Sequence, residues 1–322
     1  MAEYWKVTRL SEKSSPPLFG EWSPGHPARG QVLVRFRAAA LNFADLLMQQ
    51  GRYQDMPEYP FIPGLEGAGE VLEAGPGVEL AVGTRVAVFS QGTMTEANIV
   101  PAAHCIPIPD SMTDAEAAGF LIAYGTSHMA LTRRAGLRTG ETLAVLGAGG
   151  GVGLTAVEIG AALGARVIAV ARGADKAAAL RSAGADEVID SESCGDLRRA
   201  LKELGGVDIV YDPVGGRSGE AAFGAIRPGG RFLSIGFAAG EPPALPLNHA
   251  LVKNIAIHGF YWGGYRKLAP EVMQQDLSDL MRLYAKGSLK PQIGATLPLA
   301  RLDEAYELMR SRQVVGKIIV TI

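Results

Sequence analysis

The chain has little cysteine: two residues in 322, Cys105 and Cys194. Neither belongs to a C-x-x-C pair, which argues against a disulfide framework and against a four-cysteine zinc lobe. It has no excess of positive charge. Lys and Arg number 31 against 33 Asp and Glu, a net charge of −2, so the balance offers nothing to a nucleic-acid backbone or an anionic membrane. It lacks a long apolar run: the best candidate, 142–157, is too short for a bilayer and is broken by glycine. Its first residues carry Glu3, Lys6, Arg9, Glu12 and Lys13 with no apolar core, so they do not read as a signal peptide. What remains is a globular profile, 48% hydrophobic and 20% charged, of a length that suits about two domains. A reduced, cytoplasmic protein is expected.

Two textures divide the chain. Residues 1–115 are punctuated by Pro and Gly and carry short strand-like runs at 31–37, 67–73, 84–89 and 94–100. One helix is expected there, 42–50, with Asn42 as its N-cap and Gly51 at its end. From about 120, apolar strands (142–147, 166–171, 207–212, 231–235, 255–260) alternate with helices (151–163, 175–183, 196–204). That alternation predicts a parallel sheet covered on both faces. After about 260 it stops, and helices 271–286 and 302–312 precede a last strand at 316–321.

The most informative segment is Gly147-Ala148-Gly149-Gly150-Gly151-Val152-Gly153. It lies between an apolar strand and a helix, where glycine allows a sharp turn and lets backbone N–H groups approach a pyrophosphate. The spacing is G-x-x-G-x-x-G at 147, 150 and 153 rather than the strict G-x-G-x-x-G. The following strand ends Val170-Ala171-Arg172-Gly173-Ala174-Asp175-Lys176. Sites for NAD place an acid at this point to hold the ribose 2′-hydroxyl. Here Arg172 stands in its place with Lys176 one turn on, and two cations suit a 2′-phosphate. Asp175 reads as a helix N-cap. The cofactor expected is NADPH.

The run Gly64-Leu65-Glu66-Gly67-Ala68-Gly69-Glu70-Val71 with Gly75-Pro76-Gly77-Val78 resembles the medium-chain dehydrogenase/reductase superfamily. Asn42-Phe43-Ala44-Asp45, Gly51-Arg52-Tyr53, the glycine turn, the run 207–216 and Gly316-Lys317 narrow the resemblance to the zinc-independent quinone oxidoreductases, the ζ-crystallin-like branch. It implies an α/β protein: a GroES-like, mostly β catalytic domain from 1–119 and 261–322, and a doubly wound Rossmann domain at 120–260. It also implies an active site in the cleft between the domains and a homodimer formed through Rossmann edge strands near 255–260.

The resemblance also assigns residues. Zinc-dependent members have Cys where this chain has Asn42 and His where it has Leu65, and neither replacement is a zinc ligand; no metal is expected. Without a metal, an electrophilic acceptor suits the chemistry best: a quinone, or alternatively an α,β-unsaturated carbonyl such as an alkenal, enone or enoyl thioester. Asn42 and Tyr53 are the candidate polar residues beside the substrate, with Asp45 orienting its neighbours. Gly147, Gly150, Gly151, Val152 and Gly153 would meet the pyrophosphate, Phe237 the nicotinamide, and Arg172, Lys176 and Arg312 the adenosine phosphate. Tyr261, Trp262 and Tyr265 are candidates to wall the cleft. A non-catalytic nucleotide- or RNA-binding protein is the other class. Its Arg133-Arg134 and Arg198-Arg199 pairs stand apart from aromatic residues, unlike an RNA-binding surface.

Overall fold

A computed structural model describes residues 5–9, 12, 13 and 17–322, with only the backbone described for 5–9. The reading of the N-terminus as leaderless falls partly outside these residues. The chain packs as two compact units. One runs to Ile122 and resumes at Pro291; the other is Ala123–Lys290. Residues 261–290, grouped by sequence with the first portion, pack with the second. Trp262 is buried there against Gly125, and Asp276 accepts a hydrogen bond from His128 at 2.6 Å.

In the first unit, strands β1 (Trp5–Arg9) and β2 (Leu18–Trp22) form an antiparallel pair. There follow β3 (Gln31–Ala40), helix α1 (Phe43–Gln49), β4 (Glu66–Ala74), β5 (Arg85–Phe89), β6 (Ala97–Pro101), β7 (Cys105–Pro107) and α2 (Asp114–Ala118). Helix α3 (Leu121–Met129) leads into the second unit.

That unit holds β8 (Thr142–Leu146), α4 (Gly151–Ala162), β9 (Arg166–Ala171), α5 (Ala177–Ser182), β10 (Glu187–Asp190), α6 (Leu197–Glu203), β11 (Val207–Asp212), α7 (Gly216–Gly224), β12 (Ile226–Ser234), α8 (Leu247–Lys253), β13 (Ala256–Gly259), α9 (Tyr265–Leu268) and α10 (Pro270–Ala285). The chain then returns to the first unit with β14 (Ile293–Pro298), α11 (Leu302–Ser311) and β15 (Lys317–Thr321).

The first unit's main sheet is mixed, in the order β14-β15-β3-β4-β5-β7, with β6 also pairing β3. Val34, Phe36, Val71, Val86 and Val88 fill its core. A second apolar cluster joins Leu41 and Leu46 to Leu302, Tyr306, Ile318 and Val320. It ties the early α1 region to the last helix and strand.

The second unit's sheet is parallel throughout, ordered β10-β9-β8-β11-β12-β13. All of β8 is buried, as expected of a strand covered on both faces. Asp196 caps α6, accepting the Arg199 N–H at 3.0 Å. Asp175 does not cap α5. It sits inside a 3₁₀ turn, Ala174–Lys176, that begins after Gly173 (φ 88°), and α5 starts only at Ala177. The left-handed glycine makes the bend that the carboxylate was expected to make.

Candidate functional site

The order of the parallel sheet reverses between β8 and β11. This is the switch point where crevices form at the C-terminal ends of strands in such sheets. The glycine turn leaves β8 there. Gly147 is left-handed at φ 58°, and a Cβ on Gly153 would lie 2.2 Å from the Gly147 carbonyl oxygen, so the helix can start this close to the strand only with glycine at 153. Helix α4 opens after Gly150 with no side chain capping it, which leaves the positive end of its dipole to a ligand.

Two more loops meet this turn. A Cβ on Gly147 would sit 2.8 Å from Val214, just after β11. Asp212, buried at the end of β11, accepts the N–H groups of Val214 and Gly215, both at 2.8 Å; burial pushes its carboxyl up. The loop after β12 closes over these residues. Ala238 N–H donates to Pro213 O at 3.1 Å and Ala239 N–H to Val214 O at 2.8 Å. Phe237 lies beside Gly215 and is 44% exposed. The structure thus brings Gly147, Gly150, Gly151, Val152, Gly153 and Phe237 to one end of the sheet.

The two cations after β9 behave differently from each other. Lys176 is buried and its stem passes along Gly149. Arg172 is 59% exposed and faces Glu192 at 3.4 Å. Glu192 was not singled out in the sequence. It comes from the turn after β10, which Asp190 organises by accepting the Gly173 and Glu192 N–H groups. Arg312 belongs to the first unit, where it ends α11 in the left-handed region at φ 56°. Trp262 is buried, and Tyr265 stacks at a tilt on Phe260, 5.7 Å between centroids. Tyr261 is exposed.

The first unit gathers Asn42 and Asp45 at the start of α1. Asp45 accepts the Asn42 N–H at 2.7 Å, one half of a capping box. Asn42 is the N-cap of α1, and its side chain also reaches beyond the helix. Its Nδ2 donates to Glu66 Oε1 at 3.0 Å, and its Oδ1 accepts from Lys317 Nζ at 2.8 Å. Lys317 also donates to Glu66 Oε1 at 2.8 Å and to the Leu41 carbonyl at 2.9 Å, while Glu66 Oε2 accepts the Ile122 N–H. One buried ammonium therefore binds three oxygens.

Asp45 is nearly inaccessible and its Oδ1 has no partner among the described residues. Desolvation drives its pKa up to about 7, against the opposing pull of the Asn42 N–H and Lys317. The Tyr306 hydroxyl is also buried without a partner there, and is pushed up by burial and then by Asp45. Tyr53 packs at the other end of α1, with Leu65, on Met48 and Phe61. Lys317 is the member that sequence reasoning passed over: it appeared only as half of a Gly-Lys motif, 275 residues from Asn42.

A parallel sheet in this order, with a glycine turn at its switch point, defines a Rossmann-type unit of the dinucleotide-binding class, accompanied in the chain by a unit built on a mixed sheet. Two family patterns match: the alcohol dehydrogenase GroES-like domain over residues 28–110 and the zinc-binding dehydrogenase over 151–285. Quinone oxidoreductase-like protein 2 homolog of Nematostella vectensis is 35% identical, covering 99% of this chain and 91% of that protein. Among solved structures, the quinone oxidoreductase of Thermus thermophilus, described with its NADPH complex, superposes at a TM-score of 0.87 with 30% identity, covering 98% of this chain and all of that one. That of Pseudomonas syringae pv. tomato gives 0.91 with 27% identity, covering 99% and all. The chain belongs to the quinone oxidoreductase-like branch of the medium-chain dehydrogenase/reductase superfamily, a family of oxidoreductases.

One family description carries zinc, and the residues here do not fit it. Leu65 offers no donor, and the Asn42 amide is already held at both ends by Lys317 and Glu66. Among the described residues no three His, Cys, Asp or Glu are grouped to hold a metal ion. No helix of the described residues is long and apolar enough to cross a membrane.

Proposed function

We propose that this chain is an NADPH-dependent reductase that delivers hydride to a quinone without a metal. The observation that carries the reading is the uncapped α4 start at the sheet's switch point, seen beside relatives whose structures were solved with NADPH. The coenzyme supplies the hydride. The N–H groups at 151–153 receive its pyrophosphate, and Lys176 and Arg172 the 2′-phosphate. Phe237 lies against the nicotinamide.

At the acceptor, a polar hydrogen on Asn42 or Tyr53 stabilises the oxygen that gains charge. The Asn42 amide is fixed for this role because Glu66 takes one hydrogen strongly, while the other has only the distant Ala40 carbonyl at 3.5 Å. Asp45 holds the backbone of Asn42 in place. An α,β-unsaturated carbonyl needs the same donor geometry and is the alternative acceptor.

The dimer expected from the sequence is part of this proposal. Strand β13 ends the parallel sheet with Ile257 exposed at 40%, and α8 exposes Leu247, Leu251 and Val252. An apolar edge of this kind suits a second copy. A reduced, cytoplasmic setting accords with two free cysteines. The RNA-binding alternative gains little support, since Arg134 donates to the Gly259 carbonyl and Arg199 pairs with Glu203.

The test has two stages. Calorimetric titration with NADPH and NADH comes first, followed by NADPH oxidation with 1,4-benzoquinone, 1,2-naphthoquinone, 2-alkenals and crotonyl or acryloyl thioesters. Tighter binding of NADPH and fastest turnover with the quinones are expected. Absence of turnover with every acceptor defeats the reductase reading, and turnover with thioesters alone moves it to the alternative. Sedimentation of wild type against Leu251→Glu checks the dimer.

A further inference from the structure

Beneath the glycine turn lies a set of buried hydroxyls that the proposed chemistry does not use. Ser127 Oγ, on α3, is 2.8 Å from the Val152 carbonyl, 2.8 Å from Thr155 Oγ1 on α4 and 3.0 Å from Tyr211 Oη on β11. Thr155 Oγ1 is also 3.0 Å from the Ala123 carbonyl and 3.1 Å from the Val152 carbonyl. Ser127 and Tyr211 are wholly inaccessible and Thr155 nearly so.

Proton counting gives this cluster a direction. Three hydroxyls bring three protons, and the carbonyls of Ala123 and Val152 only accept. Tyr211 has Ser127 as its one hydrogen-bond partner among the described residues, so its buried proton is satisfied only by donation to Ser127 Oγ. Burial raises the Tyr211 pKa above its ordinary value, which keeps the phenol a neutral donor. The Ser127 proton then passes to Thr155, which donates to Ala123, or directly to the Val152 carbonyl. In both patterns every proton is used, and the donation runs from β11 through Ser127 to α4, which it meets at Thr155 or at the Val152 carbonyl.

That turn needs outside support. It begins Gly151-Val152-Gly153 and has no capping side chain, and glycine leaves the backbone there less restricted than any other residue would. Its carbonyl at Val152, and the Thr155 side chain just past it, are the two groups that the cluster grips.

We propose that Tyr211, Ser127 and Thr155 are positioning residues that hold the first turn of α4 in the orientation in which its N–H groups receive the coenzyme's pyrophosphate. The inference rests on the dinucleotide reading above. It adds a prediction that reading does not make: loss of the relay weakens NADPH and NADH alike, because the pyrophosphate is common to both.

The experiment compares wild type with Tyr211→Phe by calorimetric titration of each nucleotide, with melting temperature and steady-state kinetics measured alongside. Dissociation constants for NADPH and NADH should both rise about three- to tenfold, the effect of one lost hydrogen bond. The acceptor KM should not change. Hydrogen exchange at the amides of 152–154 in the nucleotide-free protein should be faster. The double variant Tyr211→Phe with Ser127→Ala leaves no orphaned phenol or serine hydroxyl. It should recover melting temperature but not affinity, and it keeps the test open if the single variant folds poorly.

Lower melting temperature with both dissociation constants unchanged would overturn the proposal and leave the relay as simple packing. A change confined to NADPH would also overturn it. If wild-type protein binds neither nucleotide at millimolar concentration, the dinucleotide reading itself has failed and the relay's role falls with it.

Discussion

The two units hold their candidate residues by opposite means. In the first, Asn42 is fixed by buried charge: the Lys317 ammonium, the Glu66 carboxylate and, through the backbone, Asp45. In the second, the first turn of α4 is gripped by neutral groups, the Tyr211–Ser127–Thr155 hydroxyls, while Arg172 stays at the surface and only the stem of Lys176 passes the glycine turn. Buried charges are costly to unpair and respond to pH; neutral hydroxyls cost less and do not titrate near pH 7. The Asn42 cluster should therefore show larger electrostatic sensitivities than the hydroxyl cluster.

The strongest way to break this contrast is Lys317→Met. It leaves Glu66 buried without its cation, and removal of one partner of a buried pair costs about 3–5 kcal/mol. Urea unfolding should show that loss, with partial recovery when Glu66→Gln is added. A loss below about 1 kcal/mol would mean that the pair is not buried in solution.

Next comes pH. The Asp45 pKa is raised from 3.8 to about 7, so the folded state holds a proton that the unfolded state releases. The stabilisation is complete below pH 4 and is lost as pH rises through 7, at roughly 1.4 kcal/mol per pH unit between the two values. Asp45→Asn should flatten unfolding stability across that window. An unchanged slope would assign the pH dependence to another group.

Two smaller changes sharpen the picture of the second unit. Arg172→Ala should weaken NADPH by about tenfold, the low end for a charged hydrogen bond at an exposed site, and leave NADH unaffected. An unaltered preference between the two nucleotides would remove Arg172 from the 2′-phosphate site. Glu192 must release Arg172 before a 2′-phosphate can take it. Glu192→Gln should tighten NADPH by roughly two- to fivefold at low salt, within the range of a surface ion pair, and the gain should fade in high salt. Equal gains for NADH would show that the carboxylate acts through overall charge alone.

Local order explains what the sequence disclosed. Strands β8, β9 and β11 are legible because burial on both faces leaves continuous apolar runs. The glycine turn is legible because its restrictions act within seven residues. Strand β10, Glu187-Val-Ile-Asp, is too short and too polar at its ends to stand out, so the acidic turn that supplies Glu192 was not foreseen. Asn42 could be named from its neighbourhood, but its bonds to Glu66 and Lys317 arise from strand order. The hydroxyl relay joins residues 127, 155 and 211, which share no local pattern. Asp175 misled because an acid before a helix usually caps it, and here Gly173 makes the bend first.

Strand β15 lies between β14 and β3 and carries Lys317 into a cluster begun at Asn42. During synthesis, every residue from Ala123 to Lys290 is made before the lysine that pairs with Glu66. The buried Glu66 cluster cannot close until β15 is made, whereas every strand of the parallel sheet precedes it in the chain. A late arrival locks what was translated first.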